Sequence, residues 1–381
     1  EDKKRFIEKF SIPTKKRIKG KLLWFHGASV GEILSIIPLI KNYEKKKSIN
    51  QILITSSTLS SSKVLKKYNF KKTVHQFYPI DQLFLVNKFL KYWKPSLAVF
   101  IESEIWPCMF LNIYKKKIPL VLLNARLTKK TFNRWIKIKT FSDNIFSKIK
   151  IALPQNLETK YFLKNLNIKK IKYTGNLKFV ESHKINSDKI NNNLKLEFNK
   201  KKIWVASSTH LSEEIFCAKA HLILKKKIKN LMTIIIPRHI HRAEDIVAEI
   251  KDLGLRVCLH SSKKKNLKNI DIYIVDTFGE TRKFHEIAST VFLGGSIIKR
   301  GGQNPLEAAR CGAKILHGSN TDNFKDIYQY LKSVNISKKI ITPNNLATEI
   351  VFKKNKRIGR KIKIIGDKIL KQTINELDNL I

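Results

Sequence analysis

Short β-branched and aromatic runs alternate with helical patterns along the whole chain, and this alternation restricts the fold more than any other feature. The predicted strands of the first half are 21–25, 51–55, 74–78, 97–101, 119–123 and 149–153. Those of the second half are 202–206, 231–236, 256–260, 270–275, 291–293 and 314–316. Several are apolar at successive positions, not only at every other one. Such strands need helices over both faces, which parallel strands joined by helical crossovers provide. At 381 residues the chain exceeds one compact core. The pattern therefore predicts an α/β chain of two Rossmann-like, doubly wound domains facing a cleft. The expected domains are 1–180 and 201–360, joined by the polar, Asn- and Lys-rich stretch 181–200. Residues 361–381 read as an amphipathic helix returning to the first domain.

The charge balance is extreme, with 76 Lys and Arg against 30 Asp and Glu, or +46. Most basic residues are Lys, in scattered runs such as 45–47, 115–117, 225–227 and 263–265, among abundant Ile and Asn. That distribution reads as compositional habit more than as a built groove. It still favours an anionic membrane face, where each basic residue contributes about 1 kcal/mol. Specific nucleic-acid binding is not expected, because no recognised binding module or aromatic stacking surface accompanies the charge. Cys108, Cys217, Cys258 and Cys311 form no C-x-x-C pair, which argues against a disulfide framework and for a reducing compartment. No apolar run reaches the roughly 20 residues that span a bilayer. The chain opens on Glu1 without an initiator Met, so a trimmed leader or membrane anchor ahead of it is an expectation.

Chemistry concentrates where the predicted strands end. After the run ending at Leu293 come Gly294-Gly295 and Gly301-Gly302, then a helix start with Asn304 as N-cap, Pro305 at the first helical position and Glu307 three past the cap. Glycines and free helix N–H groups suit an anionic, hydroxyl-bearing ligand such as a nucleotide. His26-Gly27-Ala28-Ser29-Val30-Gly31-Glu32 follows the first strand. Locally, Ser29 and Glu32 read first as a capping box. Their position at a strand's carboxyl end also allows Glu32 to be a general base. In Glu102-Ser103-Glu104-Ile105-Trp106-Pro107, a continuing strand would send both carboxylates to one side, as site groups or as ion pairs. Asn124-Ala125-Arg126-Leu127 and Thr174-Gly175-Asn176-Leu177-Lys178-Phe179 follow further apolar runs, as do Ser207-Ser208-Thr209-His210, Pro237-Arg238-His239 and Asp276-Thr277-Phe278-Gly279-Glu280. Arg126 and Arg238 stand out where Lys is the default, since a guanidinium meets carboxylate or phosphate with a planar fork. His239 and His241 match no metal-ligand spacing, and the dinucleotide, P-loop and nucleophile-elbow signatures are absent.

In this order, from about Phe25 to Phe324, the segments resemble the Kdo (3-deoxy-D-manno-octulosonic acid) transferases, glycosyltransferases of the two-domain GT-B architecture. The resemblance implies CMP-Kdo as donor, a lipid A precursor as acceptor, and inverting transfer without metal or other cofactor. It implies work at the cytoplasmic face of the inner membrane. By position, Glu32 becomes the general base, and Glu102 and Lys178 stabilise the transition state. CMP falls to Pro237, Arg238, Phe278, Gly279, Glu280, Asn304, Pro305, Leu306 and Glu307 on the second domain. With the resemblance, the catalytic reading of Glu32 overtakes the capping one. Three positions depart from the family's usual residues: Gln303 stands for His, Cys108 for Asn after Trp-Pro, and Val180 for Asp after Lys-Phe. The alternative within the same class is a GT-B transferase using another nucleotide sugar.

Overall fold

The computed structural model describes residues 5–180, 190–262 and 267–381. The chain divides into two compact units, Glu1–His183 with Ile365–Ile381, and Lys184–Ile364.

In the first unit six strands form one sheet: β1 (Leu22–His26), β2 (Gln51–Ser56), β3 (Thr73–Phe77), β4 (Leu97–Ile101), β5 (Leu120–Ala125) and β6 (Ile151–Pro154). Their order is β3-β2-β1-β4-β5-β6, and every pairing is parallel. β1, β2, β4 and β5 are buried at every residue, as strands covered on both faces must be. Trp24, Phe89, Trp93, Phe100, Phe110 and Phe146 pack one face without exposure to solvent beyond a trace. The strand order reverses direction between β1 and β4, so the loops leaving these two strands diverge and open a crevice at their carboxyl ends. Residues 365–381, the last part of the helix Lys356–Asp378 and the three residues after it, complete this unit. Ile369 and Leu377 are buried there, Glu376 pairs with Lys172, and Asp378 accepts from Tyr43 Oη at 3.1 Å.

The second unit repeats the plan with β7 (Lys202–Thr209), β8 (Leu231–Pro237), β9 (Val257–Leu259), β10 (Ile272–Ile274), β11 (Thr290–Leu293), β12 (Lys314–His317) and β13 (Ser337–Lys339). The order is β13-β12-β11-β7-β8-β10-β9, again with parallel pairing throughout. Here the reversal lies between β7 and β11, and it selects the loops after those strands. β13 is absent from the sequence reading: its residues are Ser-Lys-Lys, and both lysines are exposed at the sheet edge. Of the expected linker, 181–189 lies outside the described residues. Residues 192–199 form a helix whose Phe198 is buried against Tyr273 and Phe284 of the second unit.

Candidate active site

In the first unit, β1 runs into Gly27 and the helix Val30–Glu44, whose N-cap is Ser29. Ser29 Oγ accepts from Glu32 N at 3.3 Å, as a capping box requires. The return half of the box is shifted by one residue. Glu32 Oε2 accepts from Ala28 N at 2.7 Å, while Oε1 accepts from Ser29 Oγ at 2.9 Å. A side chain at Gly27 would crowd this carboxylate, because its Cβ would lie 3.1 Å from Glu32 Cβ and 3.1 Å from Ile101 Cδ1. Burial pushes the Glu32 pKa up, and the negative charges of Glu104 and Glu102 add to it, against the Ser29 and Ala28 hydrogen bonds. A carboxyl so poised is a better proton acceptor than an exposed one.

The expectation that Glu102 and Glu104 share one side of a continuing strand is overturned. β4 ends at Ile101, and Glu102 takes a left-handed backbone with φ 55°. Its amide still reaches Leu123 O at 2.9 Å, and its carbonyl accepts from Arg126 N at 3.2 Å. The turn separates the partners of the two acids. Glu102 Oε1 meets Lys178 Nζ at 2.8 Å in a largely buried ion pair. Glu104 Oε2 instead accepts from Trp106 Nε1 at 2.9 Å and faces His26 Nε2 at 3.2 Å. Asn124 explains how Lys178 is presented: its Oδ1 accepts from Leu177 N at 2.9 Å, and Asn176 Oδ1 accepts from Lys178 N at 2.9 Å. Thus Asn124 ties the Asn-Ala-Arg-Leu segment to the short helix Leu177–Phe179. Glu32, Glu102 and Lys178 are gathered beyond the carboxyl ends of β1 and β4.

In the second unit the candidate segments follow β8, β10 and β11, whose carboxyl ends share one sheet edge. Pro237 is buried and Arg238 exposed, with Arg238 N bonded to Thr209 O at 2.9 Å. Phe278 is 80% exposed, a large ring left to solvent. Gly279 has φ 85°. The Glu280 carboxylate is engaged by Lys283 Nζ at 2.8 Å and His260 Nε2 at 2.9 Å. The expected N-cap at Asn304 shifts by one residue. The helix is Leu306–Arg310, Pro305 occupies the cap position, and Asn304 Oδ1 accepts from Leu306 N at 3.1 Å. Proline has no N–H to give, so the preceding side chain satisfies the next free donor. Glu307 is exposed.

The residue that organises this edge was not singled out by sequence reasoning. Fully buried Glu213 accepts from four backbone amides: His210 at 3.0 Å, Gly295 at 2.7 Å, Ser296 at 3.1 Å and Ile297 at 2.9 Å. It clamps the loop after β7 to the loop after β11. A Cβ on Gly294 would collide with Ser208 O, Thr209 Cα and Glu213 Oε2, so only glycine allows that approach. An acidic residue in a helix's first turn looks like a dipole partner, and the distant loop it binds has no local signal. His239 is exposed with its ring 5.7 Å from those of His210 and His241. Among the described residues no group of three or more His, Cys, Asp or Glu could hold a metal ion.

Known proteins place these features in a family. A family model described as 3-deoxy-D-manno-octulosonic-acid transferase (kdotransferase) matches residues 4–181. The 3-deoxy-D-manno-octulosonic acid transferase of Rickettsia typhi is 38% identical over 323 residues, 83% of this chain and 69% of that protein. That of Rickettsia felis is 34% identical over 361 residues, 90% of this chain and 76% of that protein. A solved structure of Anabaena Alr3699/HepE in complex with UDP matches with a TM-score of 0.58 at 12% identity, covering 94% of this chain and 100% of that one. This last likeness speaks to fold alone, two parallel-sheet α/β domains of GT-B type. With relatives at 34% and 38% identity along most of its length, this chain belongs to the 3-deoxy-D-manno-octulosonic acid transferase family of glycosyltransferases.

Proposed function

We propose that the protein transfers Kdo from CMP-Kdo to a sugar hydroxyl of a lipid A precursor, with the acceptor on the first unit and the nucleotide on the second. The observation that carries this is the Glu32 carboxyl, held at the mouth of β1 with its pKa raised by burial and by neighbouring acids. Glu32 takes the proton of the acceptor hydroxyl as its oxygen bonds to the anomeric carbon of Kdo. The bond from that carbon to the CMP phosphate breaks, and CMP leaves with the electron pair. Displacement from the opposite face inverts the anomeric centre. Positive charge gathers on the sugar ring and negative charge on the phosphate as the bond parts. The Glu102–Lys178 pair suits the stabilisation of that separated charge. Pro237, Arg238, Phe278, Gly279, Glu280, Asn304, Pro305, Leu306 and Glu307 are proposed to hold CMP. Exposed Arg238 is the natural partner of its phosphate, and Glu307 of its ribose hydroxyls. No metal has a role in this scheme.

Attachment to the cytoplasmic face of the inner membrane belongs to the same reading. Phe6, Phe10, Ile80, Leu83 and Phe84 are exposed on the first unit. Their segments adjoin, with Ile80 N on Lys9 O at 3.0 Å and Ser11 Oγ on Leu85 O at 2.7 Å. Apolar rings beside lysines on a strongly cationic chain suit an anionic bilayer surface. The decisive test is CMP release with a lipid A precursor present. Glu32→Ala is expected to lower turnover by about 10²- to 10⁴-fold while CMP binding measured by calorimetry persists. Near-normal turnover in that variant would refute the assignment of the base.

A further inference from the structure

Glu104 stands beside the proposed base, yet the mechanism above gives it no task. The groups around it are fixed in an unusual way. His26 is fully buried, its ring stacked on Tyr78 with centroids 3.9 Å apart and edge-on to Phe100 at 5.2 Å. Burial lowers the His26 pKa, against the hydrogen bond and negative charge of Glu104 and the bond to the Thr55 backbone. Thr55 Oγ1 accepts from Trp24 Nε1 at 2.9 Å and lies 3.0 Å from His26 Nδ1, which is also 3.2 Å from the Thr55 carbonyl oxygen. His26 Nε2 lies 3.2 Å from Glu104 Oε2, and since an ionised carboxylate only accepts, the donor of this bond is Nε2–H. Trp106 Nε1 donates to the same oxygen at 2.9 Å. Two N–H donors on packed rings thus hold one oxygen of Glu104. The other, Oε1, receives no hydrogen bond from the described residues and is not sealed from solvent.

We propose that Glu104 is an acceptor-positioning residue: with Oε2 anchored by His26 and Trp106, Oε1 receives a hydrogen bond from a hydroxyl of the acceptor sugar and so sets the reacting hydroxyl on Glu32. The inference rests on the proposed reaction and extends it. Charge selects the kind of ligand. Glu32, Glu102 and Glu104 lie close enough to act on one another, with Lys178 already paired to Glu102. Three carboxyl groups offer acceptor oxygens to neutral O–H groups. The buried relay from Trp24 through Thr55 to His26 gives the anchored carboxylate a fixed orientation, which preorganises it before the sugar arrives.

Glu104→Gln preserves shape and lets the amide oxygen keep both N–H donors, but turns a donor NH₂ toward the sugar. Steady-state kinetics of the full chain, varying lipid A precursor and CMP-Kdo separately, should show the acceptor KM raised about tenfold, the effect of losing one hydrogen bond to a charged group. The KM for CMP-Kdo and the melting temperature should stay at wild-type values. An unchanged acceptor KM, or an equal rise in both KM values, overturns the proposal. Should Glu104→Gln fail to fold, Trp106→Phe removes one anchor and leaves the carboxylate. It should raise the acceptor KM about threefold with the donor KM unmoved, and no such split again overturns the proposal. If the wild-type chain transfers no Kdo to the precursor, the proposed function itself falls, and that outcome is distinct from either result above.

Discussion

Glu32 uses the same two oxygens for structure and, in the proposed reaction, for chemistry. Its hydrogen bonds to Ala28 and Ser29 fix the side chain, while burial keeps its pKa above the usual carboxylate range. A raised carboxyl pKa means that the ionised form is disfavoured in the folded state. The resulting cost to stability is fully present above the folded pKa and disappears below the unfolded one. Glu32→Gln is therefore expected to melt higher than wild type at pH 8 and no higher at pH 4, followed by circular dichroism. The wild-type kcat/KM should fall on acidification through an apparent pKa above that of a free glutamate, a limb that Glu32→Gln should lack. At this scale the sequence was legible in part. The Ser29–Glu32 spacing announced the cap, and the family resemblance singled out Glu102 and Lys178. Their ion pair was hidden, because it joins positions far apart in the chain through a left-handed turn at Glu102.

Among elements, the strands were the most readable, since runs such as 97–101 and 120–123 are apolar on both faces and end up wholly buried. The edge strand Ser337–Lys339 and the helix Asn192–Asn199 were not, because each buries little of itself and so carries almost no hydrophobic signal. The loops after β7 and β11 depend on one buried carboxylate that no periodicity reveals. Glu213→Ala would leave four backbone N–H groups without their acceptor, each at a cost of about 1–3 kcal/mol when buried. Allowing for relaxation, it should lower unfolding free energy by about 3 kcal/mol or more and abolish CMP binding, as denaturant titration and calorimetry would show. A variant as stable as wild type would mean that these loops hold their shape unaided.

At the scale of the whole molecule, charge was plain in the sequence and its use was not, because lysines are spread over both halves. No helix among the described residues is long and apolar enough to cross a membrane. Association through charge and exposed rings predicts a specific pattern in vesicle co-sedimentation. Binding to anionic vesicles should fall several-fold between about 0.1 and 0.5 M salt, and Phe84→Glu should weaken it at either salt without changing the melting temperature. Equal binding to neutral and anionic vesicles would count against the electrostatic part. The C-terminal segment carries a different consequence. Because 365–381 supplies Ile369, Glu376, Leu377 and Asp378 to the first unit, that unit stays unfinished on the ribosome until the stretch through Asp378 has been synthesised. A polypeptide cut short before residue 365 would show bare apolar surface on its first unit, marking it for proteolysis before any sugar could be transferred.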